Sequence, residues 1–319
     1  MDEQAANTTT VNPESGTAEM ALTIKVIYFS GLLITLAGFV LNCFCFLAVK
    51  NLPESSGSTL MKYLAVWDSM AVLEDGILRW GLELLGINLA VVHEILCYMF
   101  NMFSWSTNAG ATYTVIAMAL NRVVAIKAPF WYNNNVSSTT AHKISLAVLI
   151  FAGAMGSQAL AFYRLDKTRG CTWFSSLNAA FVMAFVNTAV FFFIPIVVLV
   201  VSDLIFVRGL AERTSKSLSS GARGAPTKDA ATLERERQKE SRAREYTIFL
   251  ICLTISYLVC YLGVVIFSSM AGWGAAYGDL LRVISKLFVI VNNSKNFIFY
   301  YMSGDAFRSA FKQVLRSSK

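Results

Sequence analysis

The sequence predicts an all-α fold: a bundle of seven membrane-crossing helices, with a short amphipathic eighth helix on the cytoplasmic face. Three observations predict it. The 319 residues are 55% hydrophobic and only 15% charged, with a mean hydropathy of +0.54, whereas a soluble domain carries roughly 25% charged residues. Seven stretches each supply the about 20 mostly apolar residues that a helix needs to cross a bilayer. Lys and Arg fall unevenly on the loops between them. The same composition excludes disordered and low-complexity classes. Six cysteines and two histidines in this length make neither a disulfide-dense scaffold nor a His-rich metal site. The net charge of +7 is read as basic cytoplasmic loops, not as a nucleic-acid surface.

The first stretch, 23–49, follows an acidic lead with Asp2, Glu3, Glu14 and Glu19. A signal peptide opens with basic residues, so this helix is expected to insert itself, with 1–22 as a disordered outer tail. The second (59–85) and seventh (280–302) contain charges and score weaker on hydropathy. The third (95–126) and fifth (177–207) are long enough to tilt or protrude. The fourth is 141–163 and the sixth 246–270. Such long continuous runs read as helices, not barrel strands. These stretches make 23–302 the bundle. Within it, 211–240 is a flexible cytoplasmic loop: 214–232 is rich in Ser, Gly and Ala. The charged run 233–245 reads as an inward extension of the sixth helix, either a solvated face or a partner-contacting one. In 303–319, Phe307, Phe311 and Leu315 recur every four residues, as in a helix lying on a membrane surface.

With the N-terminus outside, 19 of the 27 Lys and Arg lie on the cytoplasmic side and seven outside. Ten of the 19 sit in the long loop, and the other nine keep the same sign. Asn7-Thr8-Thr9 is then an outer glycosylation acceptor. Asn135-Val136-Ser137 matches that pattern on the inner side and is read as chance. Only Cys97 and Cys171 fall outside the membrane, and two lone cysteines in an oxidising compartment form a natural disulfide pair. Cys43, Cys45, Cys252 and Cys260 lie inside spans, as small apolar residues do.

Charges inside a membrane are costly and mark function by default. Helical phase puts Asp68, Asp75 and Arg79 on one stripe of the second helix. It puts Arg282, Lys286 and Asn293 on one stripe of the seventh, with Lys295 facing nearly the opposite way. On the third helix, Ser104, Asn108 and Arg122 share a stripe. Two polar zones result. The deep zone holds Asp68, Asn108, Asn292, Asn293 and Asn296. One carboxylate with amide oxygens suits a hard cation such as sodium at Asp68, Asn108 and Asn293, or else a hydrogen-bonded water network. The outer zone holds Glu74, Asp75, Arg79, Arg282 and Lys286. It either meets a charged ligand or satisfies itself, as the Asp75–Arg79 i,i+4 pair allows. Ser104, Asn108, Asn187 and Tyr261 complete the candidate ligand-contacting set.

The order and spacing of several motifs resemble the rhodopsin-like family of G-protein-coupled receptors, from about Thr23 to Arg316. Leu64-Ala65-Val66-Trp67-Asp68 is similar to the family's L-A-x-x-D. Cys97 and Arg122 are 25 apart, like the family's outer cysteine and inner arginine. Asn121-Arg122-Val123 with Pro129-Phe130 resembles D-R-Y-x-A-I-x-x-P-L. Pro195 matches the fifth-helix proline. Asn296-Phe297-Ile298-Phe299-Tyr300 resembles N-P-x-x-Y with Phe for Pro, and this form with Gly304 and Phe307-Arg308 is similar to invertebrate neuropeptide receptors, including FMRFamide-like ones. The sequence departs from the pattern at Asn121, where the family has an acid, and at Cys260-Tyr261-Leu262-Gly263, where it has C-W-x-P. Asp203 stands in place of a fifth-helix tyrosine.

The resemblance implies a plasma-membrane receptor that binds an extracellular ligand, here a short neuropeptide or a small zwitterion, and activates a heterotrimeric G protein. It implies switch roles for Asn121, Arg122, Asn296 and Tyr300, and no cofactor beyond a sodium ion. Ser104 stands where amine receptors carry an aspartate, and Ile290 where opsins carry the retinal lysine. A retinal protein using Lys286 or Lys295 finds no acid in 95–126 to serve as counterion. A channel or transporter finds no internal repeat. An enzyme finds its two histidines, His93 and His142, at opposite membrane faces.

Overall fold

A computed structural model of the chain describes residues 13–166, 170–173, 177–221, 230–272 and 277–317. Asn7 and most of the expected outer tail lie outside the described residues. The long helices are α1 (Pro13–Lys50), α2 (Ser56–Ala71, continuing through a π-helical stretch Val72–Gly81 into Leu82–Leu84) and α3 (Glu94–Lys127). They continue with α4 (Ser138–Phe162), α5 (Leu177–Thr188, a π-helical stretch Ala189–Phe193, then Ile194–Gly221) and α6 (Ala230–Gly272). The last are α7 (Gly278–Ser294 with Asn296–Ser303) and α8 (Asp305–Ser317). Seven rods and a terminal amphipathic helix are what the apolar stretches predict. The inner loop differs: α5 runs on to Gly221 and α6 begins at Ala230, so much of 214–232 is helical. Ser and Ala cost a helix little once a longer helix is there to propagate from.

Among the described residues, five helical stretches are long and apolar enough to cross a membrane: Met20–Lys50, Glu94–Lys127, Ser138–Phe162, Val182–Gly209 and Ile251–Met270. The exceptions, α2 and α7, are the two whose charges weaken them in the sequence. Those polar groups turn inward: Asp68, Glu74, Asn293 and Asn296 are buried. The outside of the bundle is instead apolar, with Phe185 72% and Ile150 67% exposed. Such a surface is unfavourable in water and natural in lipid.

Side-chain caps set the ends of several rods. Ser55 and Ser58 close a capping box at the start of α2, and Ser137 and Thr140 close one at the start of α4. His93 caps α3, its Nδ1 accepting from the Ile95 N–H at 3.1 Å. A β-hairpin, β1 (Tyr163–Asp166) against β2 (Gly170–Trp173), sets Leu165 opposite Cys171. Gly170 takes φ +74°, and a Cβ there would also stand 2.9 Å from Val91, so only glycine turns this hairpin without strain. The Cys97–Cys171 disulfide joins it to the outer end of α3 across a Cα–Cα distance of 5.5 Å.

Small residues let the rods approach closely. A Cβ on Gly110 of α3 would fall 2.4 Å from the Trp67 ring of α2, and one on Gly31 of α1 would fall 1.9 Å from the fully buried Trp80. Gly110→Ala is therefore expected to lower stability by about 1–3 kcal/mol through overpacking, although alanine is the better helix former. A melting curve of the purified protein that rises instead would contradict this packing.

Candidate functional site

The outer zone is built on the π-helical turn of α2. A π-turn brings residues five apart into register, so Glu74, not only Asp75, lies beside Arg79. Arg79 Nη2 donates to Glu74 Oε1 at 2.8 Å, while the Asp75 carboxylate is 3.8 Å from Arg79 Nε. The Asp75–Arg79 i,i+4 pair expected from helical phase is present, and Glu74 joins it. Glu74 is 1% exposed. Ser104 of α3 donates to both Asp75 carboxylate oxygens at 3.3 Å. Across from them Lys286 of α7 lies within electrostatic reach of Arg79, Asp75, Glu83 and Glu74, and makes no ion pair among the described residues. Arg282 stands apart, exposed and paired with Asp279 at 2.9 Å. It lies one turn nearer the helix end than Lys286. Two further candidates lie deeper in the bundle. Asn187 Oδ1 on α5 is buried with no partner among the described residues. Tyr261 on α6 shares a hydrogen bond with Thr112 of α3 at 3.2 Å.

Tyr261 also stacks on Tyr257, ring centroids 4.2 Å apart, and Tyr257 donates to the Phe191 carbonyl at 2.6 Å. Phe191 lies in the π-helical stretch of α5, whose altered hydrogen-bond ladder leaves that carbonyl available. Two phenols thus tie α6 to α3 and α5. The sequence pattern points to Tyr261 but not to Tyr257 or Thr112. The four-residue spacing of the two tyrosines was the available signal, since it puts them on one helix face.

The deep zone is a hydrogen-bonded network. Asn296 donates to Asp68 Oδ2 at 2.5 Å, Asn293 to Asn108 Oδ1 at 3.3 Å, and Asn292 to Asn293 Oδ1 at 3.4 Å. Asn108 itself donates to the Ser104 carbonyl, and Asn42 of α1 to the Asn293 carbonyl, each at 2.9 Å. Lys295 is the main correction. Phase turns it away from this zone, yet it lines a small cavity together with Asp68, Thr112, Tyr257, Asn292 and Asn296. Its spacing from Asn292 gives the reason, since residues three apart share a helix face; α7 is also interrupted at Lys295. The ammonium donates to the Asn292 carbonyl at 2.7 Å and to its Oδ1 at 2.5 Å. That carbonyl is the one Asn296 N–H would use in an unbroken helix. A side chain inserted into the ladder kinks a helix without proline, which is how Phe297 can stand at the family's proline position. Of the three expected sodium ligands, Asp68 lines this cavity, while Asn108 and Asn293 do not and are hydrogen-bonded to each other.

At the inner end, Asn121 accepts from Ser56 at 3.2 Å, and Ser56 in turn shares a hydrogen bond with Tyr132 at 2.7 Å. Tyr132 lies on a short helix, Pro129–Asn135, after α3. Arg122 packs against the start of α2, where a Cβ on Gly57 would be 3.2 Å from its Nη2. Tyr300 is buried and stacks on Phe249 of α6 at 4.2 Å. In α8, Phe307 packs on Phe297 and Tyr300, and Phe311 on Phe44 and Phe297. Arg308 donates to the Tyr301 and Met302 carbonyls at the end of α7. Asn121 and Arg122 thus sit where α3 meets α2, Tyr300 where α7 meets α6, and Asn296 reaches Asp68 in the deep zone.

Comparison with known proteins agrees with this arrangement. The profile described as "7 transmembrane receptor (rhodopsin family)" matches residues 38–298. A curated relative, the galanin-like G-protein coupled receptor npr-9 of Caenorhabditis elegans, is 24% identical over 250 residues. The match covers 70% of this chain and 58% of that protein's length.

Proposed function

The chain belongs to the rhodopsin family of seven-transmembrane receptors, and from that premise we propose that it is a plasma-membrane receptor for a short extracellular neuropeptide. Its N-terminus faces outward, and it activates a heterotrimeric G protein at its inner end. The family is one of receptors, not enzymes. The observation that carries the reading is the division of polar groups within one bundle. Buried charges of both signs gather toward the disulfide-bearing end, and Arg122 and Tyr300 toward the other. A peptide brings a cation, a polar backbone and its own ends to such a zone. The relative's name, galanin-like, supports a peptide over a small zwitterion.

In this reading ligand favours the state in which α6 swings outward, and it shifts that equilibrium only by its differential affinity for the two states. The Tyr261–Thr112 and Tyr257–Phe191 bonds hold α6 inward until then. The test is to screen the full chain, expressed at the cell surface, against short amidated peptides with calcium and cyclic-AMP readouts. A peptide response that Arg122→Ala abolishes without loss of surface protein is the expected result. Response to small zwitterions alone would replace the peptide reading, and no G-protein response to either class would overturn it. For the active peptide, Lys286→Glu is expected to lower potency about tenfold or more, since reversing a charge beside a buried ion pair costs above 1.4 kcal/mol. Unchanged potency removes Lys286 from the ligand site.

A further inference from the structure

We propose that the Lys295 ammonium is the resident cation of the deep polar zone, supplying to Asp68 the positive charge that a sodium ion would otherwise bring. The residues present do not fit a metal ion. A hard cation needs several free oxygens around one point. Around the cavity that Asp68 lines, Asp68 Oδ2 already accepts from Asn296 at 2.5 Å and both Asn292 oxygens accept from Lys295, so that Asn296 Oδ1, buried without a partner among the described residues, is too little by itself to hold a hard cation. The amide oxygens of Asn108 and Asn293 accept from neighbouring amides and lie off the cavity that Asp68 lines. That cavity holds about 10 Å³, room for about one water.

Lys295 completes the argument. Its ammonium is held by two oxygens of Asn292, on the wall of the same cavity as Asp68. The pair makes no direct contact within salt-bridge distance, and both residues line the one-water cavity. A water there accepts from the ammonium and donates to the carboxylate, completing the pair at little cost. With one carboxylate and one ammonium the zone is neutral. A sodium ion would leave a net positive charge in a medium that penalises unpaired charge. Because the cation is tethered, it moves with α7 and cannot be expelled when the bundle changes shape. The same side chain also holds the break in α7, so charge pairing and helix geometry are coupled in one residue.

The test uses the full-length purified receptor and sodium ion itself as the probe. Melting temperature is followed while NaCl replaces N-methylglucamine chloride at a constant ionic strength of about 0.1 M. An unchanged wild-type melting temperature is expected, because only an ion bound to the folded state raises it. A sodium-dependent rise in the wild type overturns the proposal. A double-mutant cycle tests the pairing directly. Asp68→Asn and Lys295→Met are each expected to lower the melting temperature by about 5 °C or more, and the double variant to melt well above the sum of the two losses. Additive losses overturn the proposal. Should a variant fail to fold, the wild-type sodium titration still decides it. Neither readout uses a ligand or a G protein, so failure here leaves the receptor reading intact.

Discussion

Cys171→Ser is expected to remove most of the receptor from the cell surface and to leave what remains far less stable. The bridge spans 74 residues of sequence. Chain-entropy arguments give about 4 kcal/mol for a loop of that length. This is an upper bound here, because α3 and α4 stay in the membrane when tertiary structure is lost and the open chain is less free than in water. Against it stands local structure that also depends on the bridge. Asn101 Nδ2 donates to Cys171 Sγ at 3.1 Å and to the Cys97 carbonyl at 2.8 Å. The β-hairpin is only four residues a side, too short to persist by itself in water. Removing the bridge frees the hairpin from the outer end of α3. Surface antibody staining with a melting curve measures the loss. A melting temperature that falls by less than about 2 °C would show that the hairpin is held by other contacts.

The second large effect is at Arg79. Arg79→Ala is expected to cost about 3–5 kcal/mol, the penalty for leaving one partner of a buried ion pair behind. Glu74 is the stranded group, its side chain 2% exposed, and Asp75 is close by. Two neighbouring carboxylates with no cation between them are worse than one. A compensating pair sharpens the test. Arg79→Met with Glu74→Gln removes both charges together and is expected to recover at least half of the lost stability, since a neutral pair of similar size is often as stable as a buried ion pair. If the double variant is as unstable as Arg79→Ala, the arginine acts through packing, for instance against Phe100, whose ring centre lies 5.9 Å from the guanidinium carbon. Ligand potency in the double variant, once a ligand is known, separates the structural role of this pair from a ligand-contacting one.

The accuracy of the sequence reading followed the continuity of helical phase. Where a helix runs unbroken, as in α3, phase correctly lined up Ser104 and Asn108, and both meet inward-facing partners. Where the helix changes pitch, phase gave only part of the answer: the π-helical turn at Val72–Gly81 adds Glu74 to the Asp75–Arg79 pair, and Lys295, expected to face away, lines the cavity beside Asn292. Neither irregularity contains a proline, although the π-helical stretch holds Gly76 and Gly81. Each is held by side-chain contacts from elsewhere in the bundle or from the same turn. Arg282, at the exposed end of the same helix, pairs with Asp279 one turn away.

The sequence by itself determined how many times the chain crosses the membrane, which rods carry polar stripes, and which two cysteines are free to pair. Each is a property of hydropathy summed over a whole segment or of residue counts on either side of it, and the cost of burying a charge in lipid enforces it locally. Only the tertiary structure decided which charge neutralises which. That choice depends on angstrom-scale shifts in helical pitch, and a buried ion takes whichever partner the packed neighbours bring within reach.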